Sequence, residues 1–340
     1  MIKEILLGKT EDDIFHLINP YGFNKSHAIV IARNLYKKGI SEISQFQGLR
    51  NELRNILSSI MSVGSFPPVK SEVSEDYTIK YLFRNDEGKQ FETVYIPDNK
   101  RHTVCVSAQS GCRMGCPFCV TGKYGYHGDL SAGDIVNQIV SIPDSGRITH
   151  VVFMGMGEPM DNIENVLKAC RIITSGWGLA ISSRNVTVST VGITPGIRSF
   201  LDQSNCNLAI SLFSPFADER IRVIPAEQKY PVHEIIDLLK NFTVRKKRRF
   251  SVAYIMIKEV NDTDSHLKGL INLLRRSGIR VNLLPYHQVK NDMNISSSDE
   301  RMHYFKHNLV ISGISASIRK SRGADISAAC GLLAGGEILS

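Results

Sequence analysis

The first part of the chain has its apolar residues at helical spacing. They recur with this period in residues 13–18 and again in residues 28–36, which predicts two helices. A Pro-Tyr-Gly segment separates the two patterns, and Asn24 or Ser26 stands where it would cap the second helix. We expect residues 1–70 to form a helical accessory domain, which either packs against the main domain or helps to bind a substrate.

The pattern then changes to strict alternation. Between Tyr77 and Pro97, apolar and polar residues alternate on both sides of a polar segment, Arg84–Gly88. Two alternating runs around a turn that contains glycine predict a β-hairpin. We assign residues 71–101 to a β-hairpin linker.

Beyond residue 102, short β-like runs alternate with helical patterns. The predicted strands are Thr103–Val106, His150–Met154, Val186–Thr190, Leu208–Leu212, Phe250–Ile255, Val281–Leu284 and Ala316–Ile318. Repeated βα units imply a parallel sheet with its functional sites at the carboxyl ends of the strands. The expected fold of residues 102–340 is therefore α/β, a partial or near-complete βα barrel.

Composition and charge narrow the class of protein. Hydrophobic residues make up 42% of the 340 residues and charged residues 22%, which excludes global disorder. We see no apolar run of the roughly 18 residues that a membrane helix needs and no signal-peptide pattern, so we expect a cytoplasmic protein without membrane contact. The formal net charge of +8 favours a polyanionic partner, because Lys and Arg neutralise phosphates.

The cysteines point to a metal site. Seven are present, an odd number that is not typical of a disulfide framework, and Cys112, Cys116 and Cys119 form a C-x3-C-x2-C array. Three thiolates can hold three irons of a [4Fe–4S] cluster and leave the fourth iron open to a small molecule. A structural zinc ion is the alternative, but it usually needs four protein ligands, and His127 is poorly spaced to be the fourth.

A second motif follows the next predicted strand. The segment Phe153–Pro159 reads Phe-Met-Gly-Met-Gly-Glu-Pro. Its glycines allow a ligand to approach the backbone, and the backbone carbonyls and Glu158 could receive an amino-acid ammonium group.

Together these motifs resemble the radical S-adenosylmethionine (SAM) superfamily and, within it, the RlmN/Cfr family of RNA adenine methyltransferases. The resemblance rests on the segments Cys105–Cys119, Met154–Pro159, Val188–Gly192 and Arg319–Gly331, the last of which contains Ala-Ala-Cys-Gly. It runs from the helical N-terminal part to the C-terminal cysteine motif. It implies a radical SAM barrel, an RNA-binding-like N-terminal domain, and ribosomal or transfer RNA as the partner.

The resemblance also implies a reaction. The adenine C2 and C8 carbons are electron-poor and do not attack a sulfonium methyl group, so a cofactor-based radical route is needed. By resemblance, Cys330 first takes a methyl group from one SAM, and a second SAM on the [4Fe–4S] cluster gives the radical that activates this methyl for addition to adenine. Cys105 then attacks the Cys330 sulfur and releases the product, while Glu92 matches the family's proton acceptor. An electron donor such as flavodoxin is implied, and we expect a monomer.

The family's SAM contacts map onto a further set of positions. These cofactor-binding candidates are Gly157, Glu158, Ser189, Ser211, Leu212, Phe213 and His287. Phe213 stands where the family usually has His, and His287 where it usually has Asn. In addition, Glu227 brings an extra acid to the segment after Pro225. These departures suggest a divergent paralogue.

Two other functions remain open at this stage. The same Cys330 chemistry could modify a heteroaromatic substrate other than RNA. Alternatively, the protein could be a paralogue that binds RNA or the ribosome and has lost catalysis. Without the resemblance, Cys330 would be interpreted as a small buried apolar residue of the Ala-Ala-Cys-Gly-Leu-Leu segment.

Overall fold

The structure is a computed structural model that describes residues 3–242, 248–288, 292–329 and 331–333. Its N-terminal part is mainly helical, with the elements β1 (Glu4–Ile5), α1 (Glu11–Ile18), α2 (Lys25–Tyr36), α3 (Asn51–Ile60) and β2 (Met61–Ser62). Asn24 is the N-cap of α2 and accepts a hydrogen bond from the backbone N–H of Ser26. The predicted helices are therefore present, and of the two candidate caps Asn24 fills the role.

The predicted hairpin is also present. The strands that follow the helices are β3 (Lys70–Val73), β4 (Ile79–Arg84), β5 (Gln90–Asp98) and β6 (Arg101–Cys105). Each pairs with the next in antiparallel fashion, and β6 also pairs in parallel with the strand His150–Phe153. The segment assigned to a linker thus continues the main sheet, which places its residues beside the barrel.

The remaining chain has the expected βα order. Its elements are β7 (Gln109–Gly111), α4 (Val120–Tyr124), β8 (Tyr126–Asp129), α5 (Ala132–Val140), β9 (His150–Phe153), α6 (Ile163–Thr174), β10 (Val186–Thr190), α7 (Thr194–Gln203), β11 (Asn207–Ser211), α8 (Ala217–Val223), α9 (Val232–Asn241), β12 (Phe250–Met256), α10 (Asp264–Leu274), β13 (Arg280–Pro285), α11 (Asp299–Ile311) and β14 (Ala316–Ile318). All seven predicted strands occur, with ends that differ by at most two residues.

The sheet has ten strands in the linear order β14-β13-β12-β11-β10-β9-β6-β5-β4-β3. The seven strands β6 and β9 to β14 are parallel, and their linear order makes an open, partial barrel, whereas β7 and β8 form a separate antiparallel pair. The α/β fold predicted from the sequence is confirmed. In the described part of the chain, no helix is both long and apolar enough to cross a membrane.

Side chains point alternately to the two faces of each strand, so one face packs into the core and the other faces a cleft. In β10, Val186 and Val188 are fully buried, whereas Ser189 between the buried positions is partly exposed. In β12, Val252 and Tyr254 are fully buried, and the alternate residue Ala253 faces a cleft. One face of the sheet therefore forms the core and the other is available to a ligand.

Candidate active site

A cleft lies at the carboxyl ends of the parallel strands. It has a volume of about 1100 Å³, counting the space at its open mouth. Its lining includes Cys112, Cys116, Cys119, Gly157, Glu158, Ser189, Ser211, Phe213, Gly331 and Leu333. Three segments far apart in sequence thus meet here: the cysteine loop, the strand ends and the C-terminal segment.

The cysteine loop begins at a tight backbone contact. Gly111 has φ +76°, and a Cβ atom there would lie 1.7 Å from the carbonyl oxygen of Gly125. The next residue, Cys112, donates its backbone N–H to the same oxygen at 2.7 Å. Glycine is therefore required at position 111 for the first cysteine to take its place.

The other two cysteines are fixed by a turn and a helix. Cys119 donates its backbone N–H to the carbonyl oxygen of Cys116 at 3.1 Å and is the N-cap residue of α4. Gly122 in α4 packs against Cys116, since a Cβ at this glycine would lie 3.1 Å from the Cys116 carbonyl oxygen. Short-range backbone contacts therefore order the loop.

Burial disfavours the thiolate form of two of the three cysteines. Burial raises the pKa of the Cys112 and Cys116 thiols to about 12, so their thiolates need a cation nearby. Within the described residues, no three His, Cys, Asp or Glu side chains converge on one metal ion. A [4Fe–4S] cluster does not require such convergence, because each thiolate binds a different iron. His127, the poorly spaced candidate for a fourth zinc ligand, has its Nε2 atom 3.2 Å from the carbonyl oxygen of Tyr124.

Glu158 connects the glycine-rich loop to the neighbouring strand. Its side chain is almost fully buried, and its two oxygens accept the backbone N–H groups of Met160 at 2.9 Å and Val191 at 2.8 Å. Burial raises the pKa of its carboxyl group to about 7, against the opposing effect of these hydrogen bonds. Its backbone N–H donates to the side chain of Gln109 at 2.9 Å, and Gly157 (φ +91°) lies so close to Gln109 that a Cβ would be 2.4 Å from it.

The residues at the ends of β10 and β11 line the cleft with two hydroxyl groups and one aromatic ring. Ser189 and Ser211 line the cleft. Phe213 follows in a left-handed conformation, with φ 60°, and its ring stacks on Phe118 of the cysteine loop with a centroid distance of 6.0 Å and an interplanar angle of 7°. Leu212 is fully buried, and we do not find it among the described residues that line the cleft.

A buried arginine holds these strand ends together. Arg220 of α8 donates to the carbonyl oxygens of Val191 at 2.5 Å, Ser211 at 2.9 Å and Leu212 at 3.0 Å. Its charge is paired with Glu227, which also accepts the backbone N–H of Val232 at the start of α9. The acid noted in the sequence as a departure therefore has a structural partner.

The C-terminal segment reaches the cysteine loop. The backbone N–H of Val120 donates to the carbonyl oxygen of Gly331 at 2.8 Å, and the hydroxyl of Thr121 donates to the carbonyl oxygen of Leu333 at 3.0 Å. Both donors belong to α4, directly after Cys119. Cys330 itself lies outside the described residues, but the residue that follows it is attached to the helix that begins at the cysteine loop.

Several known proteins are similar to this chain in sequence and in fold. A profile of the Radical SAM superfamily matches residues 106–283. A relative from Phocaeicola vulgatus, named probable dual-specificity RNA methyltransferase RlmN, is 44% identical over 332 residues, which are 97% of this chain and 95% of the relative. The dual-specificity RNA methyltransferase RlmN of Geobacter sulfurreducens is 35% identical over 328 residues, or 96% of this chain and 91% of that one.

A solved structure agrees with these relatives. The crystal structure of a radical SAM methyltransferase from Sphaerobacter thermophilus superposes with a TM-score of 0.90 at 34% identity, covering 98% of this chain and 100% of that one. The chain belongs to the RlmN family of radical SAM methyltransferases. Membership implies a [4Fe–4S] cluster and SAM, and the cleft with its three cysteines and glycine-rich loop fits both.

The predicted proton acceptor and the predicted resolving cysteine lie on neighbouring strands. Glu92 and Cys105 are both buried, on β5 and β6 respectively. In the register of these strands Cys105 is opposite Val94, two residues from Glu92. The structure therefore brings the two residues onto one face of the sheet, although we do not find them among the described residues that line the cleft.

His287 occupies a less central position. It lines a small cavity next to the cleft, together with Phe118 and Leu284, which also line the cleft itself. Its Nε2 lies 3.0 Å from the hydroxyl of Ser321, and burial lowers the pKa of the imidazole. A contact between His287 and SAM stays a prediction.

Several residues of the site were missed by sequence reasoning. Phe118 and Thr121 lie in the cysteine loop and in α4 and could have been found by their nearness to Cys119. Arg220 and Gln109 gave no signal, since an arginine in a charged helical segment and a glutamine in a polar segment are both typical of surface positions.

Proposed function

We propose that this chain methylates an adenosine carbon in RNA, C2 or C8, through an S-methylcysteine at Cys330 that is resolved by Cys105. The observation that carries this proposal is the attachment of the C-terminal segment to the cysteine loop. Gly331 and Leu333 line the same cleft as the three cluster cysteines. These two described residues lie close to Cys330 in sequence, and their attachment to the cysteine loop supports the role proposed for it.

RNA is the proposed substrate for two reasons. The relatives from Phocaeicola vulgatus and Geobacter sulfurreducens are named RNA methyltransferases over nearly the full length of this chain. In addition, the net charge of +8 suits a partner that carries phosphates. Ribosomal RNA and transfer RNA both satisfy these criteria.

The chain's own residues have distinct roles in the proposal. Cys112, Cys116 and Cys119 hold the cluster, and Gly157 and Glu158 receive the amino-acid part of SAM. When bound, the cluster and two SAM molecules per turnover supply the methyl group and the one-electron chemistry, with an electron from a donor such as flavodoxin. Ser189 and Ser211 offer hydroxyl groups for the polar parts of SAM.

Cys105 and Glu92 complete the reaction. Methylene addition joins the Cys330 sulfur to the base through one carbon, and a second thiol is needed to attack that sulfur. The S–S bond then forms, the S–C bond breaks, and the carbon keeps the electron pair and takes up a proton to become the methyl group of the product. Glu92 would accept the proton that leaves the adenine carbon. Their common location on one sheet face supports the assignment of both residues to the second half of the reaction.

The test is the Cys105→Ala variant, expressed in cells. We expect this protein to carry RNA attached through Cys330, because the first half of the reaction proceeds and the release step is blocked. After nuclease digestion, peptide mass spectrometry should show a nucleotide plus one carbon on the Cys330 peptide.

Two controls make the result decisive. Cys330→Ala should carry no adduct, and Cys206→Ala, which changes another buried cysteine, should carry none and should form product. An unmodified Cys330 peptide in the Cys105→Ala protein, together with normal product formation, would contradict the proposed function.

A further inference from the structure

A buried lysine stands beside the proposed proton acceptor. The Nζ of Lys80 lies 3.6 Å from Oε1 of Glu92, and their side chains are only 6% and 5% exposed. The same Nζ lies 3.1 Å from Oε2 of Glu72, whose side chain is 33% exposed. Lys80 therefore bridges a buried carboxylate and one that reaches solvent.

Strand register explains why the lysine meets Glu92. Lys80 is opposite Val94, and Val94 is opposite Cys105, so these three residues form one row across β4, β5 and β6. Glu92 is two residues before Val94 on the same strand and shares its face. A cation, a carboxylate and the resolving cysteine thus lie together on one face of the sheet.

Burial makes this contact strong. A lysine or a glutamate is rarely buried without a partner, because the charged form loses its hydration. Opposite charges at this separation interact more strongly out of water, where salt screens them little. Glu92 is held at its backbone as well, since its N–H donates to Met156 Sδ at 3.3 Å and its carbonyl oxygen accepts from Ser107 at 2.6 Å.

We infer that Lys80 is a positioning residue for the methyl transfer, which keeps Glu92 ionised and aimed on the face that it shares with Cys105. This inference rests on the proposed function. Methylene addition leaves an unpaired electron on the base, and this electron returns to the one-electron redox partner named above, the flavodoxin-type donor in its oxidised form. When Glu92 takes the proton, the adenine C–H bond breaks, an O–H bond forms on the carboxylate, and the electron pair of the C–H bond restores the aromatic ring. Only an ionised carboxylate can perform this step, and a neighbouring cation favours that form.

The charges of other titratable groups near Glu92 determine the direction in which each substitution should shift its pKa. Within the described residues, the groups facing it include Lys80 on β4, Cys105 on β6 and, beyond the lysine, Glu72 on β3. Removal of the cation leaves carboxylates of like charge near each other, so the pKa of Glu92 should rise. Removal of the charge of Glu72 should lower the pKa of Glu92, because a carboxylate of like charge is lost.

The experiment compares pH profiles of the cluster-loaded enzyme in single turnovers with RNA. Lys80→Met should shift the acidic limb of the pH–rate profile, where the rate falls as Glu92 is protonated, to higher pH by roughly 1 to 3 pH units. Lys80→Arg keeps the charge and should restore the wild-type limb. Lys70→Met is the matched control, because Lys70 pairs with Glu72 at 3.1 Å and its loss should leave the limb in place.

A second readout does not depend on the overall rate. If the proton is not removed, the base stays joined to Cys330, so quenched Lys80→Met reactions should retain an RNA–protein adduct at low pH and lose it as the pH rises. A purely structural lysine would give the same adduct level at every pH. Should Lys80→Met fail to fold, Glu72→Gln provides the test: a shift of its acidic limb to lower pH supports the inference, and an unchanged limb or a shift to higher pH would overturn it.

The two hypotheses fail separately. An acidic limb in Lys80→Met that coincides with the wild-type limb would overturn the role of Lys80 alone. A wild-type enzyme that forms no methylated adenosine would overturn the proposed function and, with it, this inference.

Discussion

The most direct structural prediction concerns Arg220, which is completely buried. Its guanidinium group pairs with Glu227 and donates to the carbonyl oxygens of Val191, Ser211 and Leu212. The change Arg220→Met keeps much of the volume and removes the charge and every donor. Glu227 is then left as a buried, unpaired carboxylate, and three carbonyl groups at the cleft lose a hydrogen bond.

The expected loss in the free energy of unfolding is about 3–5 kcal/mol, the usual effect of removing one partner of a buried ion pair. Glu227→Gln retains an acceptor near the guanidinium and should cost less, about 1.5–3 kcal/mol. The double variant should lose less than the sum of the two single changes, because no isolated charge remains. Urea denaturation followed by circular dichroism, with the cluster bound, measures all three.

The exposed Arg222 on the same helix provides the matched control. Arg222→Met should change the free energy of unfolding by no more than about 0.5 kcal/mol. A loss below about 1 kcal/mol in Arg220→Met, or strict additivity in the double variant, would refute the idea that this ion pair holds the strand ends.

Two further predictions concern the cofactors. Anaerobic reconstitution should give about four irons and four sulfides per chain. Iron and sulfide analysis should show that Cys112→Ala, Cys116→Ala or Cys119→Ala abolishes the cluster. One zinc and no iron after anaerobic purification would contradict the prediction of a cluster. His287→Asn should preserve or improve SAM cleavage, because an amide donates the hydrogen bond that the imidazole would; complete loss of 5′-deoxyadenosine formation would remove this position from the SAM site.

The parallel strands could be predicted from the sequence because each is short, apolar and bounded by turn residues. The strand Val186–Thr190 was predicted with both ends correct. The cysteine loop and the glycine-rich segment could be located because their chemistry depends on local spacing. Each motif also follows a strand of the parallel sheet, so the topology alone brings the two together.

The residues that support the site could not be predicted in the same way. Arg220 occurs in Ala-Asp-Glu-Arg-Ile-Arg-Val, a pattern typical of an exposed helix, and its burial results from packing against strands far away in sequence. Lys80 alternates with apolar residues as an exposed strand residue would. The hairpin of β7 and β8 was missed because Gln-Ser-Gly and Tyr-His-Gly-Asp have no apolar alternation.

The antiparallel strands beside the barrel also hold the C-terminal segment. The turn between β3 and β4 holds the C-terminal segment, since Asp325 accepts from the Ser74 hydroxyl at 2.6 Å and the Glu75 N–H at 3.1 Å. On the other side of position 330, Gly331 is held by α4 at the cysteine loop. The described residues on either side of position 330 are thus held by hydrogen bonds to other elements of the protein. The same antiparallel strands carry Lys80 and Glu92, and one piece of sheet therefore holds both Asp325 of the C-terminal segment and the proposed proton acceptor.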